Sequence, residues 1–428
     1  MGVNKNNMGR SIAFLSIHGD PQVPLGGPHH GGQNVYVKEL SRHLSARNFR
    51  VDVYSRWESP RQLEVERIAD NSRVIRVRVG PPNYIPKDEL VLLFSDLAQW
   101  ITQYRDRHQI DYSLIHAHYY FSGAVALKLY KRWGAPFVET FHSLGAIKRQ
   151  ALGDQDPSPS QRVEIEQSIV RNADQIIATA PQEKNDLIEV YNADPTQISV
   201  VPCGVNLELF RPISQDQARK DIGIPSNAFL LTYVGRIEQR KGIDTMLKAL
   251  ALLLTEHPNL PLYAIIVGGQ PRNTQEQFEM STQERLEHQR YEEIIEQNHI
   301  RDRVIFTGGL PQSLLYQYYS AADITIIPSY YEPFGMTALE ALACGSSVIA
   351  SRVGGLKTTI KEGEVGLHFT PQVVRDLADN IFYLMQNPKL NARFKRNARP
   401  YVKRHFSWQS VAEKCTQVYT DVLSKHTD

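Results

Sequence analysis

The sequence has few cysteines, almost no net charge and no long apolar run. Its three cysteines, Cys203, Cys344 and Cys415, form no CxxC pair, which argues against a disulfide scaffold or a zinc site and fits a reducing compartment. The net charge of +2 over 428 residues gives no electrostatic sign of a nucleic-acid or membrane surface. No apolar stretch approaches the ~20 residues that span a bilayer, and MGVNKNNMGRSIAF lacks the apolar segment of a signal peptide. We therefore expect a cytoplasmic protein with small-molecule partners and no metal site, acting on neither nucleic acid nor membrane.

Short runs rich in isoleucine and valine alternate with helix-forming stretches along most of the chain. Runs without polar alternation suit strands that are buried on both faces of a parallel sheet. Thirteen such runs predict strands, at residues 11–18, 51–55, 74–79, 114–118, 137–141, 175–179, 198–201, 230–234, 263–267, 304–307, 324–328, 347–350 and 366–369. The alternation predicts an α/β fold with parallel sheets.

A break in this pattern divides the chain into two halves. Proline and glycine cluster in residues 206–225, and a new series of strands follows. Because open twisted sheets rarely exceed ~10 strands, we expect two doubly wound domains, residues 1–208 and 209–407. Their strand carboxyl ends would face a shared cleft. The last helical stretch, within residues 408–428, has no strand after it.

A glycine-rich loop joins the first strand to the first helix. It reads GGPHHGGQN, residues 26–34. Glycines let backbone N–H groups approach an anion, and a helix N-terminus favours negative charge. The loop is not GxGxxG, and no acidic residue ends the second strand, so a dinucleotide dehydrogenase is not supported. His29 and His30 have no supporting carboxylate and are expected to be exposed loop residues rather than metal ligands.

Two basic residues flank the turn after the first strand of the second half. Arg236 and Lys241, in GRIEQRKG, could neutralise a diphosphate between them. The sequence contains no Walker A motif, so ATP hydrolysis of that type is not supported.

The most specific motif is YEPFGMTALEALACG, residues 331–345. A turn at Gly335 precedes a strong helix former, so the amides at the helix start can receive phosphate oxygens. Glu332 lies just before this helix and Glu340 about one turn inside it. A carboxylate pair flanking a phosphate site suits a nucleotide sugar, whose hydroxyls lie on both sides of its diphosphate.

A third group of polar residues follows a strand end in the first half. His142, in ETFHSLG, occupies the position after a strand where ligands usually bind in α/β proteins. Lys148 and Arg162 follow it, and Lys87 lies in YIPKDEL. These cations could hold an anionic acceptor.

Taken in order, these motifs resemble the retaining family 4 glycosyltransferases of the GT-B fold. Glu332 and Glu340 are similar to the family's E-x7-E motif, Arg236 and Lys241 to its donor-binding pair, and Gly31-Gly32 to its acceptor-side loop. Within the family, GGQNVYVKEL, YIPKDEL and TFHSLGAIKR resemble sucrose-phosphate synthases and their sucrose synthase relatives. The resemblance implies two Rossmann-like domains that face a central cleft, with a last helix that crosses back to the first domain.

The resemblance also implies a role for each matching residue. The implied catalytic residues are His142, Arg236, Lys241 and Glu332. The implied donor-binding residues are Gly32, Arg236, Lys241, Gly335, Met336, Thr337 and Glu340. The implied acceptor-binding residues are Gly32, Gln33, Lys87, Ser143, Lys148 and Arg162. No metal ligand is implied.

The implied reaction is transfer of glucose from UDP-glucose, with ADP-glucose as an alternative donor, to fructose 6-phosphate with retention of configuration. No cofactor is required, since UDP-glucose is a substrate; stimulation by Mg²⁺ is left open. The chain has no appended phosphatase signature, so a separate sucrose-phosphate phosphatase is implied.

Other readings of the same motifs remain open. A different acceptor would make the enzyme a sucrose synthase or an inositol-phosphate glycosyltransferase, whose GG-x-NVYV the loop also resembles. A nucleotide-sugar epimerase shares the two-domain fold but needs no acceptor. A non-catalytic sugar-nucleotide-binding protein would bind UDP-glucose without transfer.

Overall fold

The computed structural model describes residues 10–23, 31–153, 156, 158–269 and 282–426. The chain folds as two compact units. The first contains the residues up to Cys203 together with those from Trp408 onward, and the second is Gly204–Ser407. The division comes slightly before the expected 208/209 position because the backbone N–H of Val205 donates to the carbonyl of Phe406 at 2.9 Å, which ties this segment to the second unit.

The first unit is built on a mostly parallel sheet. Its strands are β1 (Ser11–Leu15), β2 (Arg50–Arg56), β3 (Val65–Ala69), β4 (Ser72–Val77), β5 (Leu114–His118), β6 (Phe137–Thr140), β7 (Gln175–Ala178) and β8 (Ile198–Val200). Over the described residues the sheet has the order β3-β4-β2-β1-β5-β6-β7-β8. The edge pair β3–β4 is antiparallel, and the other neighbours are parallel. Because β2 and β5 lie on opposite sides of β1, the direction of winding reverses there, and the loops after β1 and β5 meet at the position where α/β sheets bind ligands.

Helices connect and cover these strands. In chain order they are α1 (Gly32–Ser45), α2 (Lys87–Leu90), α3 (Phe94–Arg107), α4 (Tyr119–Trp133), α5 (Gly145–Leu152), α6 (Arg162–Asn172) and α7 (Pro181–Tyr191). The apolar faces of α3, α4 and α6 join the strands in one core that includes Leu97, Phe121 and Ile169.

The second unit repeats the same plan with parallel pairing between all neighbouring strands. Its helices α8 (Gln215–Ile222), α9 (Ile243–Glu256), α10 (Thr282–Gln297), α11 (Leu315–Ala321), α12 (Met336–Ala343), α13 (Leu356–Thr359), α14 (Val374–Gln386) and α15 (Pro388–His405) surround β9 (Phe229–Val234), β10 (Leu262–Val267), β11 (Val304–Gly308), β12 (Ile324–Ile327), β13 (Ser347–Ser351) and β14 (Gly366–Phe369). The described strands have the order β11-β10-β9-β12-β13-β14. The order reverses between β9 and β12, so the loops after these two strands form the second ligand-binding position.

The final helix, α16 (Trp408–Lys425), belongs to the first unit. The Tyr419 hydroxyl on this helix lies 2.7 Å from His116 Nδ1 on β5, and the Trp408 ring contacts that of Tyr36 on α1 at 5.4 Å between centroids. None of the described helices combines the length and the apolar character needed to cross a bilayer.

The predicted α/β fold with two parallel-sheet units is confirmed, and the predicted strands are found within a few residues of their expected bounds. The strand β3 was not predicted. Its sequence, VERIA, is interrupted by the charged pair Glu66 and Arg67 and is at least partly exposed throughout; an edge strand needs no continuous apolar run.

Candidate active site

The loops after β9 and β12 in the second unit are pressed tightly together. Gly242 has a φ of +67°, and a Cβ atom there would lie 2.0 Å from the carbonyl oxygen of Pro328. The backbone N–H of Tyr330 donates to the carbonyl of Arg240 at 2.7 Å. Glycine is therefore required where the two loops meet, and the loops form one surface at the winding reversal.

A cluster of charged side chains occupies this surface. We call it the basic cluster; it consists of Arg236, Glu238, Arg240, Lys241 and Glu332. Lys241 Nζ lies 2.5 Å from Glu332 Oε2. Glu238 bridges the two arginines, at 2.6 Å from Arg236 Nη1 and 2.7 Å from Arg240 Nε. Both cations predicted to bind a diphosphate are thus already ion-paired, and three positive charges share two carboxylates.

The two predicted cations differ in exposure. Lys241 and Glu332 are 14% and 12% exposed, whereas Arg236 is 47% exposed. Burial alone would raise the pKa of Glu332, but Lys241 and the two neighbouring arginines hold that pKa below its ordinary value. Burial lowers the pKa of Lys241, and Glu332 opposes that shift. The pair keeps both groups charged in a site that is mostly removed from water.

The start of α12 lies beside Glu332. Gly335 caps the helix with a φ of +97°, and a Cβ atom there would lie 2.4 Å from Leu356 Cδ2. Met336 and Thr337 form the first turn, whose amides have no acceptor within the helix. These amides and the positive end of the helix favour an anion at this position.

Glu340 lies one turn further along α12. It is 8% exposed and accepts hydrogen bonds from the Tyr319 hydroxyl at 2.9 Å and from Gln312 Nε2 at 3.4 Å. Burial raises its pKa to about 7, and the two hydrogen bonds oppose the shift. Glu332 thus precedes the first turn of α12 along the chain and Glu340 follows it.

In the first unit, the described part of the glycine loop starts helix α1. Gly31 is the N-cap and Gly32 the first helical residue. The Gln33 side chain donates from Nε2 to Ser16 Oγ at 3.1 Å and to the carbonyl of His118 at 3.3 Å. Gln33 is thus fixed between the ends of β1 and β5. Residues 26–30 of the same motif, with His29 and His30, lie outside the described residues.

His142 follows β6 in a strained conformation. Its φ is +58°, which is uncommon for a non-glycine residue and often marks a functional position. Its Nε2 lies 3.1 Å from His118 Nδ1, and Tyr36 contacts the ring edge-on at 4.9 Å between centroids. Burial lowers the pKa of His142 to about 3, so the ring is neutral at physiological pH.

The predicted acceptor-binding residues after His142 form one hydrogen-bonded network. Arg162 is 1% exposed; it donates to the carbonyl and hydroxyl of Ser143 at 2.6 and 2.8 Å, and to Glu166 at 2.7 Å. Lys148 lies 2.7 Å from Asp156. Both cations also donate to Ser158 Oγ, Lys148 at 3.3 Å and Arg162 at 3.1 Å. The side chain of Lys87 lies outside the described residues; its backbone begins α2.

Comparison with known proteins gives matches over both units. The model for glycosyl transferases group 1 matches residues 214–401, and the model for Glycosyltransferase Family 4 matches residues 30–209. The D-inositol 3-phosphate glycosyltransferase of Corynebacterium diphtheriae is 34% identical over 96% of this chain and 94% of its own length. That of an Arthrobacter species (strain FB24) is also 34% identical, over 98% and 97%.

This chain belongs to the family 4 glycosyltransferases. A solved structure of a sucrose-phosphate synthase from Thermosynechococcus elongatus is also similar, with a TM-score of 0.86 and 34% identity over 97% of this chain and 100% of that one. The resemblance to the GT-B family that the motifs indicated is thereby confirmed. Glycosyltransferase activity follows from the family; the sugar and the acceptor do not.

Several residues of this glycosyltransferase that shape the site were not singled out from the sequence. Glu238, Tyr319 and Asp156 each bind a predicted residue from a neighbouring turn or helix, and no local pattern marks them. His118 could have been found, since it is the last residue of a predicted strand, at a strand end like the one that His142 follows.

Proposed function

We propose that this glycosyltransferase transfers glucose from UDP-glucose to fructose 6-phosphate, with retention of configuration, and so forms sucrose 6-phosphate and UDP. The similarity to a solved sucrose-phosphate synthase over the full length of both chains supports this choice. The observation that carries the phosphorylated acceptor is the convergence of two cations, Lys148 and Arg162, on one hydroxyl oxygen in the first unit.

The basic cluster supports a nucleotide-diphosphate donor. Arg236 presents a half-exposed guanidinium beside Lys241, and the first-turn amides of α12 follow Glu332, the partner of Lys241, on the loop after β12. As the bond to the sugar breaks, negative charge grows on the diphosphate, and donors that are already oriented stabilise it without reorganisation. Glu332 would accept hydrogen bonds from hydroxyls of the glucosyl group, and Glu340 would accept them from hydroxyls of the ribose.

The donor substrate itself supplies the general base that deprotonates the acceptor. A leaving phosphate oxygen takes the proton of the acceptor hydroxyl on the same face of the sugar, which retains the configuration. His142 is neutral, and it is linked to Gln33 because His118 contacts both residues. We assign His142 a contact with the transferred glucose. No tightly bound cofactor is needed, because the cations of the chain stabilise the leaving group.

A phosphorylated acceptor is supported by the charges of the network after His142. The Ser158 hydroxyl accepts from both cations, so a phosphate oxygen placed beside it would reach the same two donors. Hydrogen bonds to charged groups contribute about 1.5–3 kcal/mol each. We therefore expect kcat/KM for fructose 6-phosphate to exceed that for fructose by a factor on the order of 10².

D-inositol 3-phosphate is the second candidate acceptor. Curated relatives of that name are as similar in sequence as the sucrose-phosphate synthase, at 34% identity over nearly the whole chain. This acceptor also carries a phosphate, so the two cations suit it equally.

An acceptor screen decides between these candidates. UDP-glucose is incubated separately with fructose 6-phosphate, fructose and D-inositol 3-phosphate, and both UDP release and the sugar product are measured. Sucrose 6-phosphate as the main product is expected. A product with D-inositol 3-phosphate alone would replace the first candidate by the second, and UDP-glucose binding without any transfer would contradict both.

Lys148→Met is the matched test of the phosphate contact. We expect it to lower kcat/KM for fructose 6-phosphate at least tenfold while slow hydrolysis of UDP-glucose in the absence of acceptor stays unchanged. An equal loss in both reactions would mean that Lys148 only maintains the fold.

The product of the proposed reaction, sucrose 6-phosphate, would need a separate phosphatase to yield free sucrose.

A further inference from the structure

His118 contacts two candidate site residues that come from different loops. Its ring Nδ1 lies 3.1 Å from His142 Nε2, and its backbone carbonyl accepts the hydrogen bond from Gln33 Nε2 at 3.3 Å. It ends β5 and caps α4, and the next residue, Tyr119, has a φ of +74°. His118 therefore links the loops after β1 and β6 at the winding reversal of the first unit.

The surroundings of His118 leave its ring little freedom. It is completely buried and packed against Phe14, Tyr36 and His116, at 4.9, 5.7 and 4.2 Å between ring centroids. Burial lowers the pKa of both His118 and His142 far below physiological pH. Each neutral ring carries one proton, so one ring donates to the other.

The direction of that hydrogen bond follows from the second nitrogen of His118. Its Nε2 is buried and has no hydrogen-bond partner in the described part of the chain. A buried N–H without an acceptor is rarer and costlier than an unfilled lone pair. The proton of His118 therefore lies on Nδ1 and is donated to His142 Nε2. His142 must then carry its own proton on Nδ1.

We propose that His118 is a positioning residue that holds His142 as the Nδ1–H tautomer and fixes Gln33 through its carbonyl group. His142 then offers the substrate a neutral hydrogen-bond donor, and it has no free lone pair with which to act as a general base. This inference rests on the proposed function only where it concerns contact with the transferred sugar.

A neighbouring histidine supplies the matched control. Both ring nitrogens of His116 are engaged, Nδ1 with the Tyr419 hydroxyl at 2.7 Å and Nε2 with Thr140 Oγ1 at 2.9 Å. Tyr419→Phe removes one bond from the same buried region without touching His142. It is expected to lower stability and to leave the tautomer of His142 and kcat unchanged.

The experiment measures imidazole ¹⁵N shifts in protein that is selectively labelled at histidine, with His142→Gln used to assign the signals of His142. Protonated Nδ1 is expected in the wild type. His118→Phe keeps a ring of similar volume but removes the donor, so the unprotonated Nε2 of His142 loses its hydrogen bond; its ¹⁵N shift should move downfield, with kcat at least about tenfold lower. His118→Asn retains a donor near the Nδ1 position and should restore the Nε2 shift and part of kcat.

Two results would overturn the proposal: an Nε2–H tautomer of His142 in the wild type, or an unchanged Nε2 shift of His142 in His118→Phe. The wild-type measurement uses a folded variant, His142→Gln, for assignment alone. If the Nε2 shift changes as expected but transfer does not, His118 positions His142 as stated, and the contact of His142 with the sugar is what fails.

Discussion

The ion pair between Lys241 and Glu332 allows its effects on stability and on catalysis to be separated. We consider Lys241→Met, Glu332→Gln and the double variant. The two charges lie 2.5 Å apart and are 14% and 12% exposed. Removing one partner of a buried pair leaves the other charge unpaired and costs about 3–5 kcal/mol, whereas removing both is often nearly neutral.

The other charges of the basic cluster determine how large this loss of stability is. In Lys241→Met, two arginines remain close enough to act on the charge of Glu332, so we expect the lower end, about 3 kcal/mol. In a unit of this size that corresponds to a fall in Tm of roughly 6–12 °C. The double variant removes both charges, so neither is left unpaired, and its Tm should recover most of that loss.

Transfer activity should follow a different order. All three variants lack a group that stabilises charge or orients the sugar, so kcat should fall by a factor on the order of 10² in each, including the stable double variant. Calorimetry gives Tm, and released UDP gives kcat.

Two results would refute this reasoning. If the double variant has a Tm no higher than that of the less stable single variant, the two charges do not stabilise each other. A kcat for Lys241→Met within a few-fold of the wild type would remove Lys241 from leaving-group stabilisation.

Three further predictions each concern one carboxyl group, those of Glu340, Glu139 and Asp156. Because the pKa of Glu340 is about 7 and we propose that its ionised form accepts hydrogen bonds from the ribose hydroxyls, the affinity for UDP-glucose measured by calorimetry should rise up to about tenfold from pH 6 to pH 8; a Glu340→Gln variant with the same pH dependence would contradict this. Glu139 is fully buried, neither of its oxygens has a partner among the described residues, and burial raises its pKa well above the ordinary value. The folded state then holds a proton that the unfolded state releases above about pH 4.5, so stability is lost as pH rises; the Tm advantage of Glu139→Gln should grow from pH 5 to pH 8, and a constant difference would refute the assignment. Asp156 lies 2.7 Å from Lys148 and opposes the lowering of the Lys148 pKa by burial, so Asp156→Asn should raise KM for fructose 6-phosphate about fivefold, equivalent to about 1 kcal/mol, without raising KM for fructose; an equal change for both would exclude a role in keeping Lys148 charged for the phosphate.

The strands were predictable because their physical cause is local. Runs such as LIHAH and ITII are buried along their whole length, as the middle strands of parallel sheets must be. The strand β3 escaped prediction because it pairs on one side only, with β4, and its few apolar residues are interrupted by Glu66 and Arg67.

The candidate site could be proposed from the sequence as a list of residues, but their contacts could not be predicted. The spacing of Glu332 and Glu340 follows from one helix and its preceding turn, so the sequence determines it. The partner of Lys241 comes from a loop 91 residues away, and that of Glu340 from helix α11. Such pairs depend on which strands are neighbours, which the composition of either loop does not reveal.

The ion pairs in the site are a condition for its function rather than an argument against it. A buried lysine without a partner loses its proton, because burial favours the neutral form. Lys241 and Lys148 are both largely buried, and burial lowers the pKa of each, opposed by Glu332 and by Asp156 respectively. Each carboxylate therefore keeps its lysine charged. In the proposed function, a diphosphate that displaced Glu332 would meet a cation that is already protonated, and the Glu332 oxygens released in the exchange would accept hydrogen bonds from sugar hydroxyls.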